Sequence, residues 1–228
     1  MSRESSRHGD TTGNMYTDLG AETKEAYEIS KKSRMLARSV IGTTSLEDRI
    51  RQRCAVAVGD FSMGPLMRFC HEPVSAVIAA VNRKSPIITD IRMVQAGIQK
   101  KGHDAEVICA LDSGSTIAHN RGITRTSAGF IALEDRIRDS IIVIGNAPSA
   151  LLTVCDMVRC GTRPAVIIGT PVGFVNAAES KELLRTLDIP SISNEGTRGG
   201  TPVAVAAINE CITIYSEVSS HAGSGYRV

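Results

Sequence analysis

The sequence predicts an α/β chain: a doubly wound, mostly parallel sheet of about five strands with helices on both faces, preceded by N-terminal helices. Three observations carry this expectation. From residue 86 onward, short apolar runs alternate with longer amphipathic stretches, the rhythm of strand–helix–strand units. Before residue 86, apolar residues recur at helical spacing instead. Several of the apolar runs are followed by turns rich in Gly and Pro, the residues that let a chain leave a strand and enter a helix abruptly.

Taken in order, residues 21–40 place Ala26, Ile29, Ser33, Leu36 and Val40 at helical intervals and turn Lys24, Glu28, Lys31 and Lys32 to water. A second helix opens at Ser45, with the acidic Asp48 three residues on, passes through Ile50, Arg53, Cys54 and Ala57, and ends near Gly59. A third starts at Pro73, whose fixed φ and missing N–H suit a first helical turn, and carries Val74, Val77, Ile78 and Val81 on one stripe. Buried strands are expected at 86–90, 105–111, 140–145, 165–169 and, more weakly, 189–193. Residues 21–218 form one domain in this reading, with mobile tails at 1–20 and 219–228, both polar and rich in Ser and Gly.

Composition narrows the function. The chain has 228 residues and a formal charge of +2, with acidic and basic residues interleaved in the second helix rather than run together. Such a surface has no field for a phosphate backbone, and with 4% aromatic residues and no Trp there is little on which bases could stack. Nucleic acid is therefore not expected as a partner. No segment approaches the roughly 18 uninterrupted apolar residues of a membrane span, and no secretory leader opens the chain, so a cytoplasmic protein without a membrane partner is expected. Six cysteines without a C-x-x-C pair read as reduced thiols, and no metal site is expected.

Chemistry should gather just beyond the carboxyl ends of the strands, where doubly wound sheets bind ligands. Four segments fall there: Asp90 to Val94, Gly145 to Pro148, Gly169 to Val175 and Gly196 to Thr201. None is a P-loop, a dinucleotide fingerprint or a nucleophile elbow. The arginines are suggestively placed instead: Arg53 on the second helix, Arg92 after a strand, Arg125 at a helix start and Arg198 in a Gly-rich turn. If they converge, their planar forks suit a ligand with several carboxylates. His103 and His119 lie in polar segments and are the candidate proton carriers near neutral pH.

The run 171–181, PVGFVNAAESK, resembles the PVGFV-x-AAESK block of the precorrin-8X methylmutases. Supporting matches are GNAPSAL at 145–151, PIITDIRMV at 86–94 with Gly97, Gly59-Asp60-Phe61, and Gly199-Gly200-Thr201. The resemblance spans roughly residues 29–215. It implies a homodimeric isomerase of cobalamin biosynthesis that moves a methyl group from ring carbon 11 to ring carbon 12 of a tetrapyrrole, without a cofactor. It further implies substrate contacts from Ser33, Arg53, Arg92 and Arg125, with Asn146, Gly199 and Gly200 matching by position. The family's catalytic histidine lies one helical turn beyond the arginine that matches Arg53, in the pattern R-x-x-H, and that position here is Val56. Two readings follow. Either catalysis proceeds with His103, His119 or water as proton donor, or the chain is a non-catalytic tetrapyrrole-binding protein of the same fold.

Overall fold

The computed structural model describes residues 23–223. Eleven α-helices and six strands are described, in the order α1 (Lys24–Ile41), α2 (Leu46–Val58), α3 (Met63–Leu66), β1 (Met67–Cys70), α4 (Pro73–Asn82), β2 (Ile87–Thr89), α5 (Arg92–Gly97), β3 (Val107–Cys109), α6 (Ser115–Arg121), α7 (Arg125–Ala132), α8 (Glu134–Ile137), β4 (Ile141–Ile144), α9 (Pro148–Arg159), β5 (Val166–Gly169), α10 (Ala177–Arg185), β6 (Ser191–Asn194) and α11 (Thr201–Gly223). They build one sheet in the order β1-β6-β5-β4-β2-β3. All pairings are parallel except β1 with β6.

Strand alternation divides the core between two faces, because successive side chains on a strand point to opposite sides. Ile87, Ile141, Val143, Val166, Ile168 and Ile192 pack on the face covered by α2, α4, α5 and α11. Ile88, Ile142, Ile144 and Ile167 face α7, α9 and α10, through Phe130, Leu151, Val154 and Leu184. Helix α1 lies outside α2.

All five expected strands form, each slightly trimmed or shifted. The sixth, β1, escapes sequence reading because it is a four-residue edge strand of mixed character, Met-Arg-Phe-Cys, only one residue of which is fully buried. Its identity comes from the ladder with β6, Met67 opposite Asn194 through Cys70 opposite Ser191, and a backbone ladder leaves no periodicity in so short a run. The expected helix starts also form. Ser45 and Asp48 make a reciprocal capping box, and Gly59 closes α2 in the left-handed region.

At the C-terminus the helix continues past the expected boundary at 219. Ser216 and Ser220 turn their hydroxyls onto the carbonyls of Ile212 and Ser216 (3.0 and 2.7 Å), so these polar residues are accommodated within α11, which runs to Gly223. The rest of that tail, 224–228, and the N-terminal tail lie outside the described residues. Of the six cysteines, which are all free, Cys54, Cys109, Cys155 and Cys211 are buried and Cys160 is exposed.

Candidate active site

The carboxyl ends of the parallel strands are held together by Asp90, the residue after β2. It is fully buried and accepts from the backbone N–H groups of Ile91 (3.0 Å), Gly145 (3.2 Å), Asn146 (2.8 Å) and Ala147 (2.9 Å). Burial pushes its carboxyl above the usual carboxylate range, while the N–H donors pull the other way. The consequence is positional: the turn from β4 into α9, with the exposed Asn146 at its tip, is fixed to the start of α5, where Arg92 stands.

Arg92 and Arg125 meet on the 3-10 turn Ala110–Asp112 that follows β3. Arg92 pairs with Asp112 at 2.7 Å, and Arg125 Nη2 reaches the Leu111 carbonyl at 3.5 Å. Thr124 caps α7 by accepting from Ser127 N, which presents Arg125 at the first helical position. Both arginines are exposed and available to a ligand approaching this edge.

Gly199 and Gly200 form the turn between β6 and α11. Gly199 sits at φ +149, and a Cβ there would stand 2.3 Å from the Thr170 carbonyl, so no other residue fits without moving β5's end. Gly200 N donates to that same carbonyl at 2.7 Å.

The second part of the site is a cleft of about 190 Å³ between α1, α2 and α11, lined by Ser30, Arg34, Arg38, Arg49, Gln52, Arg53, Val56, Ala57 and Glu210. Glu210, 1% exposed, is its fixed anion. It lies 2.8 Å from Arg49, 3.7 Å from Arg53 and 3.8 Å from Arg34. Arg49 also forks onto Glu217 through two bonds of 2.6 and 2.9 Å. Burial works against the Arg49 charge, but the two carboxylates outweigh it and hold the guanidinium above its usual range. Four guanidiniums and, among the described residues, one carboxylate line the cleft. At about 190 Å³ it is smaller than the roughly 300 Å³ at which pockets begin to enclose whole drug-sized ligands.

The cleft and the strand ends adjoin. Arg198, in the turn after β6, bonds Asp60 and Ser62 just past the end of α2. Cys54 of α2 reaches the Val203 carbonyl near the start of α11 (3.7 Å), so the Val56–Gly59 end of α2 lies toward the carboxyl edge.

The expected site residues are distributed accordingly. Arg53 lines the cleft with Val56, which is 37% exposed. Ser33 does not line it: its hydroxyl donates to the Ile29 carbonyl at 3.1 Å, and Ser30, one turn earlier on α1, lines the cleft instead. His103 lies elsewhere, in a groove beside α5 with Arg92. Its Nδ1 accepts from Ala105 N (3.1 Å) and its Nε2 meets the Gln99 carbonyl (2.7 Å). Both ring nitrogens thus serve the loop, leaving no free proton to lend. His119 is exposed near the end of α6, and the cleft lining contains no histidine. Among the described residues, no group of three or more His, Cys, Asp or Glu is placed to hold a metal ion, and no helix is long and apolar enough to cross a membrane.

Sequence reading missed Ser30, Arg34, Arg38, Arg49 and Glu210. The signals were present: residues 30, 34 and 38 step by four along α1, Arg49 and Arg53 step by four along α2, and Glu210 interrupts the apolar run that opens α11.

Comparison with known proteins shows what this chain is similar to. A family model described as precorrin-8X methylmutase matches residues 28–214. A cobalt-precorrin-8 methylmutase of Methanocaldococcus jannaschii is 39% identical over 207 residues, 85% of this chain and 96% of the relative. One from Methanothermobacter thermautotrophicus is 38% identical over 202 residues, 86% and 97% of the two chains. The crystal structure of a precorrin-8X methylmutase from Thermus thermophilus superposes with a TM-score of 0.78 at 30% identity, covering 84% of this chain and 97% of that one.

Proposed function

Because the chain belongs to the precorrin-8X methylmutase family, we propose that it moves a methyl group from ring carbon 11 to ring carbon 12 of a corrinoid precursor, in the cytoplasm, with no histidine at position 56. The observation that carries this reading is the arginine-lined cleft bordered by Val56, in which Arg49 and Arg53 stand beside Glu210. Methyl migration within one molecule changes neither its composition nor its oxidation level, so no redox cofactor is required.

The work then falls to binding. Arg53 and its neighbours take carboxylate arms in the cleft, while Arg92, Arg125, Asn146 and the Gly199–Gly200 backbone border the macrocycle along the strand ends. Held in one geometry, the migrating methyl and its destination carbon need no further search. A general acid contributes typically about 10²–10⁴-fold, so its loss slows such an enzyme without removing the rest of its catalysis. With His103 occupied by backbone groups, the proton comes from water.

We further read the active form as a homodimer. Ile29, Leu36 and Val40, each 60% exposed, recur at helical spacing on one stripe of α1, the apolar face that a second copy would cover, and α1 also supplies Ser30, Arg34 and Arg38 to the cleft.

The test is incubation of the purified protein with precorrin-8X and, separately, cobalt-precorrin-8, following the absorption change of the rearranged chromophore. Turnover supports the proposal, and the preferred substrate shows whether cobalt is carried. A tetrapyrrole bound but unchanged overturns it in favour of a non-catalytic tetrapyrrole-binding protein.

A further inference from the structure

We infer that Lys181 is a positioning residue: by holding the Arg198 carbonyl it sets the Gly199–Gly200 turn against β5 and, through the Arg198 side chain, ties that turn to the end of α2. The inference rests on the proposed function only in taking this turn as part of the tetrapyrrole site.

Lys181, on α10, is fully buried. Its ammonium donates to the Arg198 carbonyl at 2.6 Å and to Asn194 Oδ1 at 3.3 Å, and no carboxylate among the described residues is paired with it. Asn194 Nδ2 donates to the same carbonyl at 2.6 Å and to the Glu195 carbonyl at 3.0 Å. The Arg198 carbonyl thus points inward onto two donors while its side chain reaches outward to Asp60 and Ser62. On the other side of the turn, Gly173 N donates to Thr197 O at 3.1 Å and Gly200 N to Thr170 O at 2.7 Å. Three distant segments, around Asp60, Lys181 and Arg198, meet in one chain of bonds.

Stability alone does not account for this lysine. Nearby charges offer no compensation: Arg185, on the same helix, adds repulsion, Glu195 is engaged by Arg68, and Asp60 by Arg198. Burying an ammonium without a counter-charge is costly, and an apolar side chain of similar length would avoid that cost. Asn194 alone would still satisfy the Arg198 carbonyl. What the ammonium adds is a second, charge-assisted bond that removes the remaining freedom of a glycine-rich turn.

The test compares the full-length protein with Lys181→Met and Lys181→Arg by amide hydrogen exchange, thermal unfolding and steady-state kinetics. The inference expects the Met variant to unfold within a few degrees of wild type, with Gly200 N–H exchange at least about tenfold faster, KM about tenfold higher and kcat little changed, and the Arg variant to recover part of both effects. A general rise in exchange that includes Ile142 and Ile167 would make Lys181 an ordinary structural residue and overturn the inference, as would unchanged Gly200 exchange. Should the Met variant not fold, Arg198→Met cuts the link at its exposed end: faster exchange at Gly59 and Asp60 supports the inference and unchanged exchange overturns it. Exchange needs no tetrapyrrole, so a wild type that neither binds nor converts substrate sinks the functional reading while the exchange data still decide the link.

Discussion

The Arg53 guanidinium stands 3.7 Å from the carboxylate of Glu210; the two residues lie 157 positions apart in the chain, on helices that pack side by side in the fold. Glu210 is the common partner of Arg49, Arg53 and Arg34, so replacing it removes a carboxylate that all three guanidiniums share. Removing one member of a buried charge network costs about 3–5 kcal/mol. Glu210→Gln preserves volume and isolates that effect. It should lower unfolding stability by about 3 kcal/mol, toward the lower end of that range because water reaches the guanidiniums, and should raise KM by letting the arginines splay. Urea unfolding with an unchanged midpoint would show that the arginines are held by something other than this carboxylate.

Lys181 gives a pH-dependent prediction whose sign is fixed by its burial. Desolvation first, and Arg185 second, lower its ammonium from 10.5 to about 8. Between those values the unfolded chain holds the proton and the native chain has released it, so native stability rises with pH across that window. Below about 8 the native lysine carries its full charging cost, and above about 10.5 the relief is complete. The difference in unfolding free energy between wild type and Lys181→Met should therefore shift in favour of wild type from pH 8 to pH 10. Taking the difference cancels other titrating groups that the two proteins share, and a flat difference contradicts the assignment.

The sequence made the fold legible wherever one signal stood alone. Pro73, the Ser45–Asp48 capping box and the Ile-rich β4 each follow from a local rule, and each forms. The edge strand β1 did not, because four residues cannot display a period and its partner β6 lies more than a hundred residues away. In the site, Arg92 could be placed after a strand and Arg125 at a helix start, but their shared anchorage on the Ala110–Asp112 turn depends on how far β3 extends. The expected strand 105–111 gives way at Ala110 to that turn, and only the turn brings the two arginines together. Ser30 and Ser33 show the same limit on a smaller scale: three residues apart on one helix, only Ser30 meets the cleft, and the choice between them depends on where α2 packs.

The exposed apolar residues of α1 predict an assembly effect. Leu36 is 60% exposed yet lies two residues from Arg34 and Arg38, which line the cleft. Leu36→Glu places a charge on the apolar display without removing any cleft residue. Sedimentation should find a dimer for wild type and a monomer for the variant, and the variant's activity should fall with the loss of its partner. A wild type that is already monomeric would remove the homodimer from the proposal.

Val56 offers the sharpest test of how the missing acid is tolerated. It sits one turn after Arg53, so both side chains reach the same cleft. Being 37% exposed, it can give way to an imidazole without opening a cavity in the core. Val56→His should therefore fold normally and place a proton donor beside the bound tetrapyrrole. If proton delivery limits the wild type, kcat should rise by about tenfold or more, within the range of general acid catalysis. The donor must be protonated to act, so the gain should be largest in mildly acidic solution and fade as pH rises past about 6.5, the ordinary imidazole value. Nearby guanidiniums would pull that limb lower still by opposing the imidazolium charge. An active wild type whose rate is unchanged by the substitution at every pH would show that binding geometry alone sets the rate, and that position 56 does not limit the reaction in this chain.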